Sequence, residues 1–486
     1  MDEKSDKGTD YRDLRDWLEL VGKHEQLRQV VAASCEEDIG AATEVLQHTP
    51  GSPAVLFDKI PGYQPGHRVL VNALKSETRL ALTFRLPLGL GKYDLSLKLA
   101  EKLKTVTPIA AEYVTDGPVM ENVHEGDDID LGEFPVPKWH PLDGGRYIGT
   151  GSYDVTRDPD EGWVNLGTYR VMVSDANHAF FFVSPGKHGR IHRDKYFEKG
   201  QPCPVLVVAG GDPLLFLAGG TELPYGLCEY DWAGGIRGEA YKLIRGRYTG
   251  LPFPADAEIV IEGFAHPDDM QPEGPFGEWT GYYASTSRPE PRIEIKAIYH
   301  RNQPIILGSP PMRPPDETSY YRSFVRSPLL QEEMLKAGVP DVQATWCHEV
   351  GGSRLLIAVA IKQRYPGHAA QAGHIASQCH VGAYCGRYVV VVDEDIDVSN
   401  LEELMWAMCT RSDPATSIDI IHRAWSTHLD PRIKPEDKEK GMLWNSRAII
   451  DATRPYEWRD QYPAVNMPSK EERQKAWAKW GYLTTV

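Results

Sequence analysis

Between residues 152 and 309 the chain runs through one short β-forming segment after another. Residues 165–174, 179–184, 204–209, 258–264, 292–299 and 304–307 are dense in β-branched and aromatic side chains. Such residues suit a pleated, half-buried surface. Only residues 229–245 interrupt them with helical character. A series of short strands like this buries its faces by curling into a closed or split barrel. The 44 Gly and 37 Pro supply the turns and argue against long helical bundles.

Within this region lies Pro272-Glu273-Gly274-Pro275-Phe276-Gly277-Glu278. Gly and Pro forbid a helix here, so the two carboxylates are held on a loop or strand edge. Apolar neighbours and a second carboxylate both raise a carboxyl pKa. A Glu kept protonated near neutral pH can deliver a proton in a reaction. By spacing alone, the same residues also describe a surface turn with two solvated acids.

The flanking regions read differently. Residues 1–10 are polar and expected to be disordered. Residues 11–31 predict an amphipathic helix with Leu14, Trp17, Leu18, Val21 and Leu27 on one stripe. Residues 93–104 predict another helix. Four prolines within residues 308–315 mark a boundary. Beyond it come helix (329–337), strand (354–361), helix (368–378) and buried strand (388–392). Ser399-x-x-Glu402 then reads as a capping box for a helix lined by Leu401, Leu404, Met405 and Met408. Residues 426–468 read as an extended linker. Ser469-x-x-Glu472 opens a last helix carrying Ala476, Trp477 and Trp480, which docks on its own chain or on a neighbour. The expected divisions are 1–10, 11–312, 313–450 and 451–486.

Charge and composition exclude some functions. With 53 Lys and Arg against 69 Asp and Glu, the net charge is −16. That balance argues against nucleic-acid binding. No apolar run approaches a membrane span, and the charged N-terminus carries no signal-like core. The seven Cys are scattered without a C-x-x-C pair, which fits reduced thiols in the cytoplasm. His368 and His374 are six residues apart and read as ordinary helix residues.

A candidate metal set comes from the strands. Asp175-Ala176-Asn177-His178 reads as a hairpin turn. If Asp175 pairs with His178, Asn165 faces His188 with Cβ atoms about 5 Å apart. Glu229 is the candidate third ligand. An amide oxygen, an imidazole and a carboxylate suit Mn²⁺ or Mg²⁺ better than zinc. The plainer readings are a polar surface pair and a Glu favoured at a helix N-terminus. Arg170 lies five residues after Asn165, so a bulge near Gly167 is needed to turn both into one site.

Taken in order, these motifs resemble one family. Asn165-Leu166-Gly167-Thr168-Tyr169-Arg170, Lys187-His188, Glu229 and Glu273-Gly274-Pro275-Phe276-Gly277-Glu278 are similar to the ordered motifs of UbiD-like decarboxylases. Thr410-Arg411-Ser412-Asp413-Pro414, after Asp393-Glu394-Asp395-Ile396-Asp397, resembles that family's C-terminal domain. The resemblance implies an α+β chain: a flavin-reductase-like split β-barrel, an α/β oligomerisation domain and a C-terminal helix. It implies a reversible, redox-neutral carboxy-lyase acting on an aromatic, heteroaromatic or α,β-unsaturated acid. The substrate would add covalently to prenylated FMN, lose CO₂ and be protonated by Glu278. By the same resemblance Arg170, Glu273 and Glu278 form the catalytic triad. Asn165, His188 and Glu229 would bind Mn²⁺. Carbonyls of Trp163, Ala218, Gly219 and Thr221 would bind K⁺. Leu166, Gly167, Thr168, Tyr169, Arg170 and Lys187 would flank the flavin. Where the family carries a Lys before the central strand of the C-terminal domain, this chain has Cys379-His380-Val381, so that flavin contact is expected to be lost or replaced by His380. An FMN prenyltransferase would supply the cofactor, and a homodimer or homohexamer is expected.

Residues outside those motifs bear on the substrate. Arg313, Arg322 and residues 425–430 are expected to reach the pocket, and Trp279, Tyr282 and Tyr283 could flank a planar acid. Rival readings are a metal-dependent hydrolase on Asn165, His188 and Glu229, an ordinary FMN oxidoreductase, and an inactive assembly subunit. Intact Arg170, Glu273 and Glu278 argue against the last.

Overall fold

The computed structural model describes residues 8–221 and 223–484. The expectation of disorder over residues 1–10 therefore falls mostly outside the described residues, although Thr9 is already buried.

The expected strand series forms one large antiparallel sheet. Its path runs Tyr147–Gly149, Val171–Asp175, His178–Phe180, Arg288–His300, Ile259–Glu273, Cys203–Val208, Tyr153–Arg157, Val164–Gly167, with Asn122–Glu125 added beside Arg288–His300. The end strands are not paired to each other among the described residues. Yet Gly149 and Thr150 share a cavity wall with Leu166 and Gly167. The sheet is thus curled and open, and the cavity lies where its ends approach. Ile305–Gly308, expected as a further barrel strand, instead joins Leu27–Val31, Ala54–Asp58 and Arg68–Val71 in a separate mixed sheet.

The N-terminal helix is shorter than its sequence stripe suggests. It spans Leu14–Lys23, capped by Asp13. Leu14, Trp17, Leu18 and Val21 are buried as expected, whereas Leu27 belongs to the following strand. Glu25 turns the chain with a φ of 59°, and β-branched Val30 and Val31 favour the strand.

After the prolines, a helix spans Glu317–Lys336, starting well before the expected residue 329. The carboxylate of its N-cap, Asp316, accepts the Ser319 N–H at 2.8 Å. A five-stranded sheet follows, in the order Val342–Cys347, Leu356–Ile361, Tyr388–Asp393, Trp444–Asp451, Ile418–Trp425. Alternation along Tyr388–Asp393 sends Val389 and Val391 toward the helix His368–Gln378. Val390 and Val392 face the helix Leu401–Arg411 on the other side. The linker expected over residues 426–468 is therefore corrected, because Trp444–Asp451 is an interior strand of this sheet. Ser399 is not the cap of Leu401–Arg411. Asn400 is, accepting the N–H groups of Glu402 and Glu403. The last helix, Lys470–Trp480, has the expected Ser469–Glu472 capping box, but Trp477 and Trp480 are exposed.

Candidate active site

Glu273 ends the strand Ile259–Glu273, opposite Arg288. Gly274 then takes a φ of +86°, which turns the chain out of the ladder and favours glycine. Asp143 Oδ1 accepts the Gly277 N–H at 3.1 Å and holds the loop. Arg170 reaches this loop because its strand is broken. The expected strand over residues 165–174 stops at Gly167 and restarts at Val171, and Arg170 makes an isolated bridge to Phe182. Glycine is required at 167, since a Cβ there would meet the Tyr169 ring at 2.2 Å.

The three residues meet in one ion cluster. Arg170 Nε donates to Glu273 Oε1 at 2.9 Å and Nη2 to Glu273 Oε2 at 2.6 Å. Nη1 donates to Glu278 Oε1. All three residues are buried. The guanidinium also lies over the Phe182 ring, 3.9 Å from its centroid. Burial pushes Arg170 down, but the charges of Glu278 and Glu273 more than reverse this and keep it protonated. Burial pushes the Glu278 carboxyl up, Arg170 pulls it back, and the Glu273 charge adds to the rise. Arg170 and Glu278 line the cavity; Glu273 stands behind Arg170 and does not. Tyr147, which no motif marked, donates its hydroxyl to Glu273 Oε1 at 3.1 Å.

The candidate metal ligands reach the same cavity by a different route from the one expected. His188 does not pair across a hairpin with Asn165. The ladder shifts register between His178 and Ala179, the strand ends at Phe180, and His188 opens the helix His188–Glu198. Pro185, which lacks an N–H, and Gly186, with a φ of +84°, lie between that strand and the helix. Asn165, His188 and Glu229 nonetheless line one cavity. Glu229 Oε2 accepts the Leu166 N–H at 2.8 Å, and burial pushes its carboxyl up to about 8. Asn165 turns its amide nitrogen to the Tyr169 hydroxyl at 3.4 Å, which leaves its oxygen open. Burial pushes His188 down, so its imidazole is neutral and able to ligate. These donors form a set that can hold a hard divalent cation, whose charge would offset the buried carboxylate.

Leu166, Gly167, Thr168, Tyr169, Lys187 and His380 also line the cavity. Of the carbonyl set, Gly219 and Thr221 line it, whereas Trp163 and Ala218 do not. The carbonyls of Trp163, Ala218 and Gly219 accept the N–H groups of Asp158, Thr221 and Thr168 respectively. Each keeps a second lone pair. Trp279, Arg322, Trp425 and Leu429 line the cavity as expected, and Arg322 also borders Gly220 and Thr221. Arg313 and Tyr282 are exposed and, like Tyr283, do not line the cavity. Arg354 and Tyr384 were missed, and their guanidinium and ring lie 4.8 Å apart. No local pattern marks them, because the C-terminal domain brings them in from a distance. A separate cluster, His124, Glu133 and His300, does not line this cavity.

A family model described as the 3-octaprenyl-4-hydroxybenzoate carboxy-lyase Rift-related domain matches residues 112–314. The corresponding C-terminal domain matches residues 319–452. A pyrrole-2-carboxylic acid decarboxylase of Pseudomonas aeruginosa is 30% identical, covering 97% of this chain and 98% of its own. A phenolic acid decarboxylase of a Streptomyces species is 31% identical over 92% of each chain. Among solved structures, the UbiD-class enzyme HmfF from Pelotomaculum thermopropionicum, in complex with FMN, superposes with a TM-score of 0.84. It is 26% identical and covers 95% of this chain and 98% of its own. The vanillic acid decarboxylase of Sedimentibacter hydroxybenzoicus in its closed form reaches 0.84 at 28% identity, over 98% and 100%. The chain belongs to the UbiD family of decarboxylases, the carboxy-lyases.

Proposed function

We propose that the protein decarboxylates an aromatic or heteroaromatic carboxylic acid in this cavity, with prenylated FMN bound beside it. The observation that carries the reading is the buried Arg170–Glu273–Glu278 cluster, with Glu278 on the cavity wall and its carboxyl raised. FMN and its prenylated form are named with HmfF, and the two curated relatives act on pyrrole-2-carboxylic and phenolic acids. When bound, the flavin supplies an electron sink for the pair left behind as CO₂ departs. A hard divalent cation such as Mn²⁺ would sit among Asn165, His188 and Glu229. K⁺ would sit near the carbonyls of Gly219 and Thr221.

The protein's own groups divide the remaining work. Arg170 commits three N–H groups to the two glutamates and keeps one on each terminal nitrogen. Those two can hold the substrate carboxylate. Glu273 positions Arg170 from behind. Glu278, protonated, places its proton on the carbon that loses CO₂, so an acid anion and one proton become the decarboxylated arene or heteroarene and CO₂ with no net redox change. Phe276, Trp279 and Leu429 keep water from that carbon. Glu278→Gln should lower turnover by about 100-fold or more, the scale of general-acid catalysis, while flavin and metal contents stay unchanged. Near-normal turnover by this variant, measured on enzyme co-produced with an FMN prenyltransferase, would sink the assignment.

A further inference from the structure

Arg322 lies near the start of the helix Glu317–Lys336 and lines the cavity together with Thr318, one turn earlier on the same face. It forms no hydrogen bond or ion pair with any described residue, and its buried Nε has no partner. The other cavity guanidiniums are occupied. Arg170 is locked to two glutamates, and Arg354 lies over Tyr384. The acids beside Arg322 on its own helix are occupied as well. Asp316 accepts the N–H groups of Met312 and Ser319, and Glu317 accepts the Leu74 N–H and the Gln47 amide. A guanidinium keeps its charge at any physiological pH. Glu229 and Glu278 share the cavity wall and Asp316 feels the Arg322 charge, but none of them bonds it, so its planar fork is open to a carboxylate through two parallel bonds.

We propose that Arg322 binds a second carboxylate of the substrate, so that the preferred acid is a planar, unsaturated dicarboxylate. The inference rests on the decarboxylase reading for the first carboxylate, which Arg170 and Glu278 serve. The body of the acid would lie against Phe216, Leu223, Trp279 and Leu429, which offer flat and apolar surface between polar ends. One carboxylate is lost at Glu278; the other stays on Arg322 and leaves with the product, a monocarboxylate.

The test compares pyrrole-2-carboxylate with pyrrole-2,5-dicarboxylate, and benzoate with terephthalate, on holoenzyme carrying prenylated FMN. Equilibrium binding is measured for each acid alongside kcat and KM. The expected result is a preference of tenfold or more for the dicarboxylate within at least one pair, in affinity and in kcat/KM. Arg322→Leu should shrink that preference at least tenfold, through KM, with Arg322→Lys recovering part of it. Equal affinities within both pairs, or a preference that Arg322→Leu leaves intact, overturns the proposal. So does loss of flavin from Arg322→Leu with the preference unchanged, which would make Arg322 a cofactor contact. Binding is read without turnover. A dicarboxylate preference that depends on Arg322 in an enzyme that decarboxylates none of these acids would therefore support the anion site and count against the decarboxylase reading alone.

Discussion

Glu273 and Glu278 are the same side chain in one short loop, and their surroundings give them different work. Glu273 is fully buried and gives both oxygens to Arg170, and it has no face on the cavity. Glu278 shares one oxygen with Arg170 and faces the cavity, with its carboxyl raised. An acid must hold its proton to deliver it, so turnover should fall as pH rises through the raised pKa of Glu278. Glu273→Gln removes a charge that lifts Glu278, which should move that alkaline limb to lower pH in the pH–rate profile. A limb that stays in place would show that Glu273 does not act through Glu278.

Glu317 makes a stability prediction at the same scale. Burial pushes its carboxyl up to about 7, from an ordinary value of 4.5. Between these values the folded state binds more protons than the unfolded state, so stability declines as pH rises from about 4.5 to about 7. Glu317→Gln should flatten this part of the Tm–pH profile. An unchanged slope would place its origin elsewhere.

At the scale of elements, helix starts were legible only approximately. Ser399-x-x-Glu402 matches a capping box, but Ser399 donates its hydroxyl to Asp397 Oδ1 at 2.7 Å and Asn400 caps the helix. Both residues are good caps, and only the path of the chain selects one. Asn400→Ala should cost about 1 kcal/mol in denaturant unfolding, and Ser399→Ala clearly less. The strand Trp444–Asp451 shows a stronger limit. Its flanks are rich in Pro and Lys, and it contains a charged, fully buried residue, Arg447. Arg447 donates to the carbonyls of Ser377, Gly382, Ala383 and Trp425, so the strand carries its own polar anchor. Its parallel partner Tyr388–Asp393 lies about fifty residues earlier, and no local periodicity reports such a pairing.

Over the whole molecule, the cavity takes its walls from both the curled sheet and the C-terminal domain. No helix among the described residues is long and apolar enough to cross a membrane. All seven cysteines are free thiols. The C-terminal segment leaves Trp477, Trp480 and Leu483 largely exposed, an apolar patch on the surface of this chain. The homo-oligomer expected from the family resemblance would bury it. Removing residues 469–486 should therefore reduce the assembly size in sedimentation while leaving the secondary structure intact. An unchanged assembly would free the segment of that role.

Motif order along the chain was enough to identify the family and nominate Arg170, Glu273 and Glu278, because those residue types at those spacings are a local signature. It was also enough for the β-rich centre and for the buried stripe of the first helix, since periods of two and of 3.6 are written in neighbouring residues. How Asn165 and His188 come to one cavity, which arginine lines it, and that residues 444–451 form an interior strand were decided by tertiary structure. Each depends on a strand interruption, a helix turn or a strand pairing between segments far apart in sequence. Such contacts form only when burial of the whole core compensates the entropy of bringing distant segments together.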